Sequence, residues 1–112
     1  MRSQGLTEEE QSAVNEFTAK LRNRFPNEIR AIKLFGSKAR GDSHRESDLD
    51  LLVLVEEKTE ELENTVIDLV CETLNRSGVY LEVVTLPISR YEKAKEEQYP
   101  FIINVERDAV AL

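Results

Sequence analysis

The chain has 112 residues, with 22 acidic against 15 basic side chains, a net charge of -7 and a single cysteine. That length fits one domain, 1–112, with a modest core and no separate substrate domain, so a partner chain is the natural source of whatever an enzymatic site lacks. The acidity opposes binding to duplex nucleic acid, which rests on many Lys and Arg contacts to phosphate.

No apolar run approaches the roughly 20 residues that cross a membrane. Met1-Arg2-Ser3-Gln4-Gly5 lacks the apolar stretch of a secretory signal, so the expected location is cytoplasmic. Helical and strand-like patterns alternate without repeats or low-complexity linkers, which predicts a single α/β domain.

Thr7 can cap a first helix, with Glu10 reaching back to close a capping box; Val14, Phe17 and Leu21 share its buried face and Pro26 ends it. Ile29 to Phe35 reads as a strand that stops at Gly36-Ser37, followed by a short helix through Arg40. Asp48 to Val55 is the strongest strand signal, and its apolar end predicts a central position. Thr59 caps the next helix, whose buried stripe is Leu62, Val66, Leu69, Val70 and Leu74, and Gly78 stops it. Cys71 falls in this apolar stretch and is expected to be a buried core thiol.

Val79 to Thr85 should form a third strand closed by Pro87. Ser89 to Gln98 reads as a charged, solvated helix, and Pro100 to Asp108 as a helix carrying Phe101, Ile102 and Val105. The ending, Ala109-Val110-Ala111-Leu112, is apolar enough to pack locally or against a partner.

Alternation along a strand points Asp48 and Asp50 the same way, with Leu49 and Leu51 in the opposite layer. Carboxylates so close repel unless a cation neutralises them, and oxygen donors suit Mg²⁺ or Mn²⁺. An isolated Asp-x-Asp serves equally well as a strand cap and a solvent-facing residue. Here, however, Gly36-Ser37 stands twelve residues upstream at the end of the preceding strand, where glycine allows close backbone approach and the Ser37 hydroxyl can hold phosphate oxygens.

From Arg30 to Arg45 five basic residues, Arg30, Lys33, Lys38, Arg40 and Arg45, face one acid, Asp42, a local balance that suits a small phosphate ligand. Of Lys38 and Arg40, Arg40 is assigned to phosphate and Lys38 is not, which leaves it a solvated helix residue. Asp42 reads as a turn former and His44 as a surface residue.

Gly36-Ser37, ten residues, then Asp48-Leu49-Asp50 resembles the defining motif of the DNA polymerase β-type nucleotidyltransferase superfamily. Phe35-Gly36-Ser37-Lys38-Ala39-Arg40-Gly41-Asp42 followed by Ser47-Asp48-Leu49-Asp50-Leu51-Leu52-Val53 is similar to its minimal branch, the MNT (MntA-type) proteins, and the likeness runs from about Ile29 to the C-terminus. The resemblance implies an α/β (α+β) nucleotidyltransferase fold, a mixed sheet flanked by helices. It further implies that Asp48 and Asp50 bind two Mg²⁺ ions, with Mn²⁺ as a substitute, and that Gly36 and Ser37 contact a nucleoside triphosphate.

Many members add a third carboxylate from a later strand, and Glu82 is the matching position. It would bind metal or take a proton, although glutamate there departs from the commoner aspartate; alternatively it is a polar-face residue of a half-buried strand.

In the MNT branch the implied activity is transfer of AMP from ATP to a tyrosine of a HEPN-domain ribonuclease toxin, which makes the protein an antitoxin. Two other readings remain open at this point: a non-catalytic module that silences its partner by occlusion, and nucleotidyl transfer to a small molecule such as an aminoglycoside antibiotic.

Overall fold

The structure is a computed structural model that describes residues 5–40 and 49–112, without the side chains of Ser37 and Arg40. Its elements follow the order α1 (Glu8–Arg24), β1 (Ile29–Phe35), α2 (Ser37–Arg40), β2 (Leu49–Val55), α3 (Glu60–Ser77), β3 (Leu81–Pro87), α4 (Ile88–Glu96), α5 (Pro100–Asp108) and β4 (Val110–Ala111).

Local chemistry sets the helix ends. Thr7 Oγ1 accepts the Glu10 N–H at 3.1 Å while the Glu10 carboxylate accepts the Thr7 N–H at 2.9 Å, closing the capping box that starts α1. Thr59 caps α3 through the Leu62 N–H, and Gly78, in the left-handed conformation at φ 74°, ends it by donating its N–H to the Leu74 carbonyl.

The strands form one mixed sheet in the order β3-β2-β1-β4. β2 runs antiparallel to β1 and parallel to β3, so the strand with the strongest apolar signal is interior, as its sequence predicts. The apolar C-terminus packs locally: β4 pairs with Lys33 and Leu34 of β1, and the Leu112 N–H donates to the Ile32 carbonyl.

The two faces of this sheet differ. Leu49, Leu51, Val53 and Val55 of β2 join Phe17 and Leu21 of α1 and Leu62 and Val66 of α3 in the larger core. On the opposite face Leu52 and Leu54 meet Tyr91 of α4 and Ile102 and Val105 of α5 in a smaller one. Burying each of these side chains contributes roughly 1.5–3 kcal/mol, so both layers bear on stability.

Several expectations are corrected. Cys71 is exposed, because two residues beyond Leu69, at about 100° per residue, lies the far side of the helix. Leu74 is 42 % exposed, in the last turn of α3, where the buried stripe has rotated away from the sheet. β3 begins at Leu81 rather than Val79: its ladder starts opposite Leu49, the first residue of β2, and the Val79 N–H is already held by Ser77 Oγ. α4 is not wholly solvated, since Tyr91 is buried against the sheet.

Candidate active site

The register of three strands sets one row across the sheet. Phe35 of β1 lies opposite Asp50 of β2, and Asp50 lies beside Glu82 of β3. The row belongs to the face of Leu52 and Leu54, since all three residues share their parity along the strands. Asp50 is half-buried and Glu82 is exposed.

The α4 and α5 helices cover the rows further along the strands but leave this one at the rim of the smaller core. Two carboxylates thereby stand on neighbouring strands, roughly 5 Å apart at the backbone. Their oxygen donors are of the kind that hard divalent cations prefer.

Gly36 completes the arrangement. Its φ of +78° is a conformation that side chains rarely adopt, and a Cβ there would lie 2.6 Å from Asp50 Oδ2. Glycine is therefore required twice over, for the turn out of β1 and for the approach of the Asp50 carboxylate to the backbone. α2 follows at once from Ser37, as the sequence predicts.

Asp48, like Asp42, His44 and Arg45, lies outside the described residues, and so do the side chains of Ser37 and Arg40. The structure thus brings together Gly36, Asp50 and Glu82 from the sequence-derived set. Among the described residues no three His, Cys, Asp or Glu side chains converge as a metal site.

The basic cluster read from Arg30 to Arg45 is in large part held by the chain itself. Arg30 pairs with Glu56, Lys33 Nζ lies 3.3 Å from Glu106, and Lys38 Nζ lies 3.0 Å from Glu10. Lys38 is 2 % exposed, not solvated, and its partner is the capping-box glutamate of α1. A buried pair of this kind braces the short helix after Gly36 against the start of α1, and removing one partner would leave an uncompensated charge. The sequence carries Glu10 as a capping residue but gives no sign of this second role.

Lys33 belongs to a second network. The Tyr91 hydroxyl donates to Glu106, Lys33 Nζ stands 5.2 Å from the centre of the Tyr91 ring, and Lys95 pairs with Glu106 at 3.1 Å. The Tyr91 hydrogen bond and the Lys95 contact hold the Glu106 carboxyl down to about 2. Burial, together with donation to Glu106, pushes the Tyr91 phenol up. This network ties α4, α5 and β1 together and has no part in the carboxylate row.

Comparison with known proteins bears directly on this geometry. The family model of the nucleotidyltransferase domain matches residues 14–110. The chain belongs to the nucleotidyltransferase family. A Methanocaldococcus jannaschii protein, provisionally named a protein adenylyltransferase, is 36 % identical to this nucleotidyltransferase over 75 residues, covering 67 % of this chain and 71 % of that protein. A solved structure described as a provisional minimal nucleotidyltransferase shares 26 % identity and a TM-score of 0.57, covering 91 % of this chain and 94 % of its own.

A toxin–antitoxin structure with AMP-PNP shares the fold, with a TM-score of 0.55 at 19 % identity, covering 94 % of this chain and 72 % of that one. The mixed sheet flanked by helices is the fold of these nucleotidyltransferases, as the sequence resemblance implies. Among the described residues of this one, no helix is long and apolar enough to cross a membrane.

Proposed function

We propose that this nucleotidyltransferase transfers AMP from ATP to a tyrosine hydroxyl of a partner protein, a HEPN-type toxin, and so acts as its antitoxin. The observation that carries the reading is the placement of Asp50 and Glu82 side by side, with the Asp50 carboxylate against Gly36. A relative provisionally named a protein adenylyltransferase and a fold neighbour that is a toxin–antitoxin with AMP-PNP support the choice of nucleotide and of acceptor.

The donor set fits divalent metal. Asp50 and Glu82 present oxygen ligands from neighbouring strands, and Asp48, by alternation, is the further ligand. Two Mg²⁺ ions, or Mn²⁺ in their place, would be held by Asp48, Asp50 and Glu82 and would supply neutralisation of the triphosphate and of the charge that develops on transfer.

The chain's own groups bind and orient. Gly36 and Ser37, with Arg40, hold the triphosphate, and the glycine keeps the backbone close to it. The phenolic oxygen attacks the α-phosphorus; the new O–P bond forms as the bond from that phosphorus to the bridging oxygen breaks. Pyrophosphate leaves with the electron pair, and the phenolic proton passes to Glu82 on the outer strand.

Incubating the protein with α-labelled ATP, Mg²⁺ and the protein encoded next to it in the genome tests this. Label should appear on a tyrosine of that neighbour, fall on the order of 10³-fold with Asp50→Asn, and vanish with EDTA until Mg²⁺ or Mn²⁺ is restored. Neutralisation of the neighbour by an Asp50→Asn protein that transfers no label would show occlusion instead. Label on an antibiotic and on no protein would show a small-molecule acceptor.

A further inference from the structure

The face of the sheet that carries Asp50 and Glu82 continues into a groove along the outer edge of β3, beneath α4 and α5. Its volume is about 450 Å³, and Val84, Arg90, Lys93, Glu97, Tyr99 and Phe101 line it. Val84 shares the face of Glu82 two residues on, roughly 7 Å along the strand. Phe101 walls the groove and also sets its ring edge-on to Phe35 at 5.6 Å, and Phe35 is the residue opposite Asp50. The groove therefore opens beside the carboxylate row.

Its charge balance runs against that of the whole chain, since Arg90 and Lys93 face a single acid of the lining, Glu97. The chain carries a net charge of -7, and most of its described basic side chains are spent on its own oxygens: Lys20, Lys33, Lys38, Lys58, Arg76 and Lys95 on carboxylates and Arg22 on the Leu112 carbonyl, for example. Among the described side chains only Arg24, Arg90 and Lys93 make no such contact, and the last two stand together on α4 in the groove. Beside them Tyr99 and Phe101 are 55 % and 44 % exposed, a large apolar area for an otherwise acidic, charged surface. Unpaired cations next to exposed aromatic rings suit a ligand that offers carboxylates and apolar side chains together.

Position gives the groove its place in the reaction, on the reading of adenylyl transfer above. The triphosphate lies toward Gly36, at the end of β1. Attacking and leaving oxygens stand roughly in line across the transferred phosphorus, so the acceptor enters from the side opposite the pyrophosphate. β1 and β3 flank β2 on opposite sides, and the groove is on the β3 side.

We propose that this groove is the acceptor site, and that it takes an acidic peptide segment of the partner protein bearing the modified tyrosine. Its apolar side chains would lie on Tyr99 and Phe101 and its carboxylates on Arg90 and Lys93.

Two dye-tagged peptides test this with the full chain: a tyrosine flanked by glutamates, and the same peptide with lysines in their place. Binding is read by fluorescence anisotropy and AMP transfer by label from ATP. The acidic peptide should bind about fivefold to tenfold more tightly at low salt, and the preference should shrink as salt shortens the Debye length. Reversing both cations, Arg90→Glu with Lys93→Glu, should abolish the preference and raise the KM for the acidic peptide while leaving the KM for ATP unchanged. Arg24→Glu, which reverses an unpaired cation on α1, away from the groove, should do neither.

Equal binding of the two peptides overturns the proposal, and so does a double reversal that raises the KM for ATP instead, which would make the groove a nucleotide site. Tyrosine labelling without charge preference removes the groove and keeps the adenylyl-transfer reading. Charge-selective binding without labelling keeps a peptide groove and overturns tyrosine as the acceptor.

Discussion

The two faces of the sheet are covered by unequal helices. On one side α1 and α3, of 17 and 18 residues, enclose the alternate apolar residues of β2 along its whole length, from Leu49 to Val55. On the other side α4 and α5, nine residues each, reach Leu52 and Leu54, and of the row that holds Asp50 and Glu82 α5 meets Phe35 through Phe101. The first face uses its side chains for stability. The second divides them, so that one stretch of strand serves a small core and the next row carries the half-buried Asp50 and the exposed Glu82. Coverage by short helices is what leaves room for a site and for the groove beside it.

The largest expected effect separates these faces directly. Leu51 and Leu52 are adjacent, equally and fully buried, and turned to opposite sides. Leu51→Ala should cost about 3–5 kcal/mol in urea denaturation, because two long helices clamp the cavity open. Leu52→Ala should cost about 2–3 kcal/mol, because the short helices can settle into the gap. At roughly 4–8 °C per kcal/mol the difference is visible in thermal melts. A larger loss at Leu52 would mean that the site-bearing face is as rigidly packed as the other.

A smaller effect sharpens how the short helices are held. The Glu106 carboxyl is held down to about 2, from an ordinary value of 4.5, first by the Tyr91 hydroxyl and then by Lys95. A depressed carboxylate stabilises the fold fully above about pH 4.5, and the contribution is lost as pH falls toward 2. With the side chain 30 % exposed, screening reduces the effect, so Glu106→Gln should cost about 1–2 kcal/mol at pH 7. The gap between variant and wild type should close across the acid range in denaturation curves. A gap that stays constant from pH 7 to pH 2.5 would show that the lost contact is not ionic.

Much of this division can be read from the sequence where the signal is local. The Thr7–Glu10 box, the Thr59 cap, Gly78, and the bounds of Ile29–Phe35 and Pro100–Asp108 all appear where short-range patterns place them. The pairing of Asp50 with Glu82 depends on strand order and register, which the sequence suggests only through family resemblance. Long-range contacts were illegible. Lys38 reads as a solvated cation because its partner, Glu10, lies 28 residues away, and the pairing of Arg30 and Lys33 is hidden because Glu56 and Glu106 come from other parts of the chain. Arg90 and Lys93 look like ordinary helix surface until the edge of β3 and the aromatic rings of Tyr99 and Phe101 are set beside them.

The smallest expected effect falls on the covered face, at its outer side. Apolar neighbours in sequence suggest that Cys71 is a core thiol, yet it stands exposed on α3, away from the Leu62, Val66 and Leu69 stripe. Cys71→Ser should therefore change stability by less than about 0.5 kcal/mol, within the range of ordinary surface substitutions. A thiol reagent should label the native chain at a rate within about tenfold of the urea-unfolded chain, since an exposed thiol needs no opening of the fold to react. Protection of a hundredfold or more would place the thiol inside the larger core and shift the helical phase of α3. The buried stripe would then rotate with it, and the long helix would cover the sheet by a different face.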